Sequence, residues 1–439
     1  MLPVASLTYA QLLRTNRSFR RLWLGQVVSE LGNWFYFIAA LGLVRSISKN
    51  SAAATTIVLL ARLVPFTVFA PLAGAFVDRF SRRTVMIATD LARVVIALLL
   101  LLVRKPEDLW LVYTCTALLS LVGAFFEAAK NAAVPNITGD RDLLAGNALM
   151  FSSRFLLMSF GAALGGWTAS HLGYPAAFTV NSVSFLVSAY SVWLIPEHET
   201  RQAPVSRETT ESKRRFTYWS DIREGWIYIV RHGPVAAILG ANVLWATGGG
   251  AHNLISDRLG GLVFAGQYGM SGDSAVATLY FASGVGLFAG MMIARRVGTY
   301  LELRAWTIGF IGYTLIVQGW VFAAMGLMPT IVLASFLFFV SRTILGVEFA
   351  IQETLLMRLV PDNLRGRVST TDRALEMLIW SVSTASAGWS LKWISPRTLT
   401  IVSGLLSSIA GVAWLALFAA KLVRLPRRLD EKARQAVAT

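Results

Sequence analysis

The sequence predicts an all-α polytopic membrane protein, with twelve transmembrane helices in two six-helix pseudo-repeat halves. Three observations carry this. Of 439 residues, 55% are apolar and only 15% are charged, against about 25% charged in soluble domains. The apolar residues gather into twelve runs close to the ~20 residues that cross a bilayer. The longest polar stretch, Pro196–Gly225, separates six of these runs from the other six. A mean hydropathy of +0.58 excludes a disordered chain and argues against a soluble enzyme.

The first six runs are Leu22–Val44, Ala53–Val77, Val85–Val103, Leu109–Ala129, Leu143–Ser170 and Ala176–Ile195. The second six are Val235–Ala251, Ala275–Ala294, Ala305–Met325, Thr330–Met357, Leu375–Leu391 and Leu399–Ala420. If Val235–Ala251 and Leu375–Leu391 were re-entrant, ten spans would remain; twelve is preferred because the halves then match. Met1–Arg21 leads into a full-length span without a short apolar core and cleavage site, so no cleavable signal peptide is expected. Within it, Tyr9–Arg21 mixes Leu12, Leu13 and Phe19 with four arginines. That pattern suits either a surface-lying amphipathic helix or a plain basic anchor.

The net charge of +16 comes from basic residues placed between apolar runs. With the termini on one side, 29 Lys and Arg fall on that side and 7 on the other, the remaining four lying within spans. The positive-inside rule then puts both termini and the central linker in the cytoplasm. The basic residues are read as orienting the chain in a lipid bilayer, not as binding nucleic acid. The single cysteine, Cys115, allows no internal disulfide, and the four histidines show no ligand-pair spacing, so neither metal nor cofactor is expected. There is no G-x-x-x-x-G-K-[ST] loop for ATP and no nucleophile constellation, so the chain is not read as an enzyme.

The division is a first half at 1–195, a cytoplasmic linker at 196–225, a second half at 226–420 and a cytoplasmic tail at 421–439. Phe216–Arg231 alternates aromatic and charged residues, as an interfacial helix does. An internal repeat supports the two halves. Glu127 precedes Pro135 by eight residues, Glu353 precedes Pro361 by eight, and both pairs are offset by 226. Duplicated halves holding substrate near the midplane are a common transporter plan.

A charge at a span centre costs about 2.5–3.5 kcal/mol on insertion scales, so such residues face a partner or an aqueous cavity. The spans hold Glu30, Arg62, Asp90, Arg93, Glu127, Arg154, Arg342, Glu348 and Glu353. Asp90 and Arg93 are three apart and can pair along one helix. Glu127 and Glu353, late in the fourth and tenth spans, suit a cytoplasmic charge relay. Glu30, Arg62, Arg154 and Arg342 are the cavity candidates. Glu30 either exchanges protons or bridges to Arg62 or Arg154; Arg342 either balances Glu348 or meets an anionic substrate. Trp34, Trp245 and Trp380 lie within spans and either line an amphiphile pocket or pack against lipid and neighbouring helices. Trp110, Trp193, Trp219, Trp226 and Trp393 fall near span ends, as an aromatic belt does. Gly286 with Gly290, and Gly309 with Gly312, have the spacing of close helix packing.

After the second run comes Gly74-Ala-Phe-Val-Asp78-Arg79-Phe-Ser81-Arg82-Arg83. It resembles the signature loop of the major facilitator superfamily, G-x-x-x-D-R-x-G-R-R, with Ser81 where glycine is usual. Gly74 would permit close helix approach, and Asp78 could accept from helix amides or pair with an arginine. The resemblance implies a conformational latch built from Gly74, Asp78, Arg79, Arg82 and Arg83. Asp90, Arg93, Glu127, Glu353, Arg365 and Arg367 are its partners on neighbouring helices. Asn16-Arg17-Ser-Phe19-Arg20-Arg21-Leu-Trp23-Leu-Gly25-Gln26 and Asp90-Leu-Ala-Arg93 resemble the bacterial drug and siderophore exporters, including the enterobactin exporter group. So do Pro135 followed by Asn147-Ala148, and Pro361-Asp362-Asn363-Leu364-Arg365-Gly366-Arg367. Gly161-Ala-Ala-Leu-Gly165-Gly166 is similar to the antiporter signature, with Ala162 in place of the usual proline. Those exporters tend to carry an acid where this chain has Asn33, and Glu30 stands one turn earlier. The resemblance implies efflux of an amphiphilic small molecule by alternating access with proton antiport. The protein would be a monomer in a bacterial cytoplasmic membrane. An importer or lysolipid flippase of the same fold, or a transport-inactive receptor, is the alternative.

Overall fold

The computed structural model describes residues 8–77, 79–200, 218–304 and 306–420. Asp78, most of the expected linker and the expected tail lie outside the described residues. The helices are α1 Tyr9–Thr15, α2 Arg17–Ile47, α3 Ala52–Val77, α4 Arg82–Leu99, α5 Leu109–His171, α6 Tyr174–Trp193 and α7 Glu197–Thr200. They continue with α8 Tyr218–Arg231, α9 Gly233–Gly249, α10 His252–Arg258, α11 Gly272–Leu303, α12 Thr307–Met325, α13 Ile331–Leu359, α14 Asp362–Ser390 and α15 Pro396–Ala419.

Every apolar run of the sequence lies on a helix. α5 carries two runs, broken at Gly139, whose φ of 66° needs a residue without a Cβ. Pro135 sits inside the helical stretch before that break, so the two prolines of the repeat do different work. Pro361 stands at the N-cap of α14. Among the described residues, ten helices are long and apolar enough to cross a membrane, or eleven with one bent pair. That pair is Arg223–Arg231 with Gly233–Val263, turning through 110°, which suits an interfacial helix leading into a span. The remaining expected run, Leu375–Leu391, lies on α14, which is not among those helices; its 29 residues extend about 43 Å at 1.5 Å each. Its first half carries Arg365, Arg367, Asp372, Arg373 and Glu376, which lowers its hydropathy.

Helix starts are set locally. Asn16, Thr330 and Ser395 accept from the amides of Phe19, Leu333 and Thr398 at the starts of α2, α13 and α15. Ser81 does the same for α4, accepting from Thr84. The serine that replaces the usual glycine is thus an N-cap.

The chain divides into two compact units, Met1–Phe216 with Met270–Phe281, and Thr217–Gly269 with Ala282–Thr439. In the first unit α2 packs on α5 and α6, α3 on α5, and α4 on α5 and α6. Phe19, Leu22, Met86, Phe126, Val134 and Val192 form an apolar core there. In the second unit α15 packs on α12 and α9, α12 on α13, and α14 on α8 and α9. Ile238, Ile311, Leu315, Leu356, Val368 and Trp414 form its core. Trp110, Trp193, Trp226 and Trp393 are exposed, as belt residues should be.

Small residues bring helices together where lipid supplies no hydrophobic drive. A Cβ on Gly286 would lie 2.5 Å from the Phe339 carbonyl, and one on Gly290 would lie 3.0 Å from Gly346 Cα, so both pack α11 on α13. Gly312 receives Trp414 and Leu415 of α15, whereas Gly309 meets only its own neighbour Tyr313 at 3.9 Å. Gly319 and Gly404 face each other's carbonyls between α12 and α15. Gly404→Ala should therefore destabilise the protein by about 1–3 kcal/mol through overpacking. Gly240→Ala, where a Cβ meets nothing within 4 Å, should not. Thermal midpoints of the two variants in detergent would show the difference.

Candidate functional site

In the first unit, Glu30, Trp34 and Phe37 recur every three to four residues along α2 and so share a face. Asn33, beside Trp34, is half-buried. Glu30 lies 4.0 Å from Arg154 Nε, and the side chains are 18% and 60% exposed. The bridge expected as an alternative for Glu30 thus goes to Arg154, and it is loose. Arg62 lies over the Phe37 ring at 4.0 Å and the Trp34 ring at 5.7 Å. Tyr280 completes the aromatic group, 5.6 Å from Trp34 and 5.5 Å from Phe37. Each desolvated cation–π contact is worth about 2 kcal/mol, so two rings are on the scale of the ~2.5–3.5 kcal/mol insertion cost of an arginine.

The glycine stretch of the fifth run seats this group. A Cβ on Gly161 would come within 2.7 Å of Trp34 Cβ, and one on Gly165 within 2.8 Å of Phe35 Cα. Gly166 receives Ala277. Close packing survives although Ala162 stands where proline is usual.

Asp90 and Arg93 form the expected ion pair, both buried, with the guanidinium 4.4 Å from the rings of Phe126 and Phe185. Glu127 pairs with Lys130 at 2.6 Å, a partner the sequence reading did not name. Its repeat mate Glu353 makes no ion pair among the described residues. A third buried pair, Arg45 with Asp273, joins the end of α2 to the start of α11. Sequence reasoning missed it because both residues flank spans and read as loop charge.

The signature-loop arginines are mostly engaged with carbonyls. Arg82 donates to Ala132 and Thr200 at 2.8 and 3.4 Å. Arg83 donates to Trp193, and Arg21 to Leu194 at 2.5 Å, so two cations close the carbonyl end of α6. Arg79 is exposed. A Cβ on Gly74 meets nothing within 4 Å. The close approach expected of Gly74 is thus absent among the described residues, because no neighbouring helix comes over it.

In the second unit, Arg365 donates to the Met357 and Val360 carbonyls at 2.9 and 3.2 Å, closing the end of α13. Arg367 pairs with Glu224 on α8. Arg342 lies over Phe338 and Phe322 at 4.8 and 5.5 Å. Glu348 is 2% exposed, and its Oε1 has no hydrogen-bond partner. Trp245 and Trp380 are neighbours, with ring centroids 6.1 Å apart, and His252 meets Trp380 edge-on at 5.4 Å. Asn242 donates to both carboxylate oxygens of Asp372 at 3.2 Å. Asp372 was not singled out from sequence, though an acid inside an amphipathic run was the available signal. Among the described residues no group of His, Cys, Asp and Glu could hold a metal.

Spanning helices that keep arginines and carboxyls at mid-span build a carrier. The family model of the Major Facilitator Superfamily matches residues 22–384. The chain belongs to that superfamily and is a multi-pass membrane transporter, not an enzyme. It is 24% identical over 411 residues to YfiS, an uncharacterized MFS-type transporter of Bacillus subtilis, covering 92% of this chain and 94% of that one. It is 29% identical over 168 residues to the candidate bacilysin exporter BacE of Bacillus subtilis, covering 38% of this chain and 41% of that one. Among solved structures, a POT family transporter in complex with a thioalcohol-conjugated peptide is similar in fold. Its TM-score is 0.71 at 12% identity, over 93% of this chain and 97% of that one. A bacterial homologue of the lysosomal transporter Spinster gives a TM-score of 0.65 at 14% identity, over 93% of this chain and 98% of that one.

Removing one member of the Asp90–Arg93 pair leaves the other charge buried, at about 3–5 kcal/mol. Asp90→Asn and Arg93→Met should each lower the thermal midpoint markedly. The double variant should recover most of the loss if the pair is a structural bolt; no recovery would give each residue a separate task.

Proposed function

We propose that this transporter exports an amphiphilic small molecule, of the drug or siderophore kind, by alternating access with proton antiport. The observation that carries the reading is the state of Glu30. Asp90 is closed against Arg93, but Glu30 stands at the limit of ion-pair distance from a largely exposed Arg154. A carboxyl held that loosely can change partners and protonation as the surroundings change. Trp34 in the first unit, and Trp245 and Trp380 in the second, offer apolar faces with polar edges for an amphiphile. The export direction is supported by the likeness to BacE.

Asp78 with Arg79 acts as the conformational latch. Arg82 and Arg83 in the first unit, and Arg365 and Arg367 in the second, stiffen helix ends, and Glu127 and Glu353 relay charge, each within its own unit. The protein works as a monomer in the bacterial cytoplasmic membrane, with both termini and the linker inside. Support for that orientation is the 29-to-7 distribution of basic residues.

The test is substrate accumulation in everted vesicles under an imposed pH gradient. Glu30→Gln should abolish gradient-driven accumulation, while substrate exchange down its own gradient continues. Glu30→Asp should keep part of the driven transport. Undiminished accumulation by Glu30→Gln would place coupling elsewhere. Single cysteines at Ser206 and Ser271, with Cys115 replaced, should differ in labelling by an impermeant thiol reagent. Labelling at position 206 from outside intact cells would overturn the orientation.

A further inference from the structure

Beside the two tryptophans of the second unit, buried donors are left without acceptors. The Nε1 of Trp245 and the Nε1 of Trp380 are both buried, and neither has a hydrogen-bond partner. Glycines pack closely on the Trp245 ring and on the backbone of Trp380. A Cβ on Gly249 would lie 2.8 Å from the Trp245 ring, and one on Gly250 would lie 2.8 Å from Trp380 Cα. Phenylalanine would supply similar packing without an unmet N–H, so the indole is an odd choice for packing alone. His252 against Trp380 has its Nδ1 2.9 Å from the Gly249 carbonyl. The charged side chain acting on His252 is the cation Arg342. The carboxylates nearest along the same helix, Asp372 and Glu376, are engaged by Asn242 and Arg373. Two unmet donors, with a cation in the same unit, ask for an acceptor that the described residues do not provide.

We propose that Trp245 and Trp380 form a hydrogen-bond-donor subsite for an anionic acceptor, a carboxylate, on the transported amphiphile. Arg342 supplies the favourable field, and the ring faces take the adjoining apolar part. This rests on the reading of the chain as a carrier of amphiphiles. It narrows the substrate to molecules with an acidic headgroup and disfavours quaternary ammonium compounds.

The experiment uses the full chain in nanodiscs with 15N-labelled indoles. The probes are N-decanoylglycine and decyltrimethylammonium, which have ten-carbon chains and opposite headgroup charges. Two indole N–H signals, identified by their loss in Trp245→Phe and Trp380→Phe, should move downfield with the carboxylate probe and not with the ammonium probe. Each Phe variant should bind N-decanoylglycine about tenfold more weakly, the scale of one hydrogen bond to a charged group. Binding of decyltrimethylammonium should not change, and thermal midpoints without ligand should hold or rise. A purely packing role would leave the two probes equally affected. The proposal is overturned if the carboxylate probe moves neither signal, or if both variants bind it as the unmodified protein does. Proton-driven export by Glu30 is read separately in vesicles, so either idea can fail alone.

Discussion

The constraint on which the rest of this structure depends is the cost of carrying charge into hydrocarbon. The chain meets it in three ways. Asp90 and Arg93 neutralise each other on one helix, with rings of Phe126 and Phe185 over the guanidinium. Glu30 and Arg154 lie near each other without closing. Arg62 and Arg342 are laid over aromatic rings. The first arrangement is closed, with both members buried. The second leaves a carboxyl and a guanidinium able to part, and residues of that kind in a membrane are where transport chemistry is done.

Once charges are placed, helix spacing decides whether they keep their geometry. Lipid is as apolar as the helix surfaces, so association relies on close contact of small residues and on polar links. Gly161 and Gly165 seat Trp34 and Phe35, which fixes the face of α2 that carries Glu30. Gly32 abuts Asn181 and Ser184 of α6 on another side of the same helix. The glycine-rich fifth run is thus tied to the acid through packing. A similar logic holds at Gly249, which admits the Trp245 indole, and at Gly250, which lets the backbone of Trp380 come close.

The ends of the helices are closed by arginine. Arg82 at Thr200 and Arg83 at Trp193 in the first unit, and Arg365 at Met357 in the second, donate to carbonyls that helix ends leave without partners. Basic loops therefore do two things with one charge: they set orientation and they cap. The sequence displays the first role openly, and the second only when the acceptor carbonyl is known.

The sequence alone was enough for the membrane class, the approximate extent of each span, the Asp90–Arg93 pair and the superfamily. These depend on run length, on spacing along one helix and on a local motif, all of which are near-neighbour properties. Within the superfamily it did not single out a substrate. The tertiary structure decided what depends on distant segments: Arg154 as the neighbour of Glu30, Lys130 beside Glu127, Arg45 with Asp273, and the open space around Gly74. It also showed that Glu348 Oε1 and the indole nitrogens of Trp245 and Trp380 are buried without hydrogen-bond partners among the described residues. A partner hundreds of residues away leaves no trace in local pattern, because any of several acids or arginines at similar depth could have met the same charge. Packing selects among them, and packing is a property of the assembled helices.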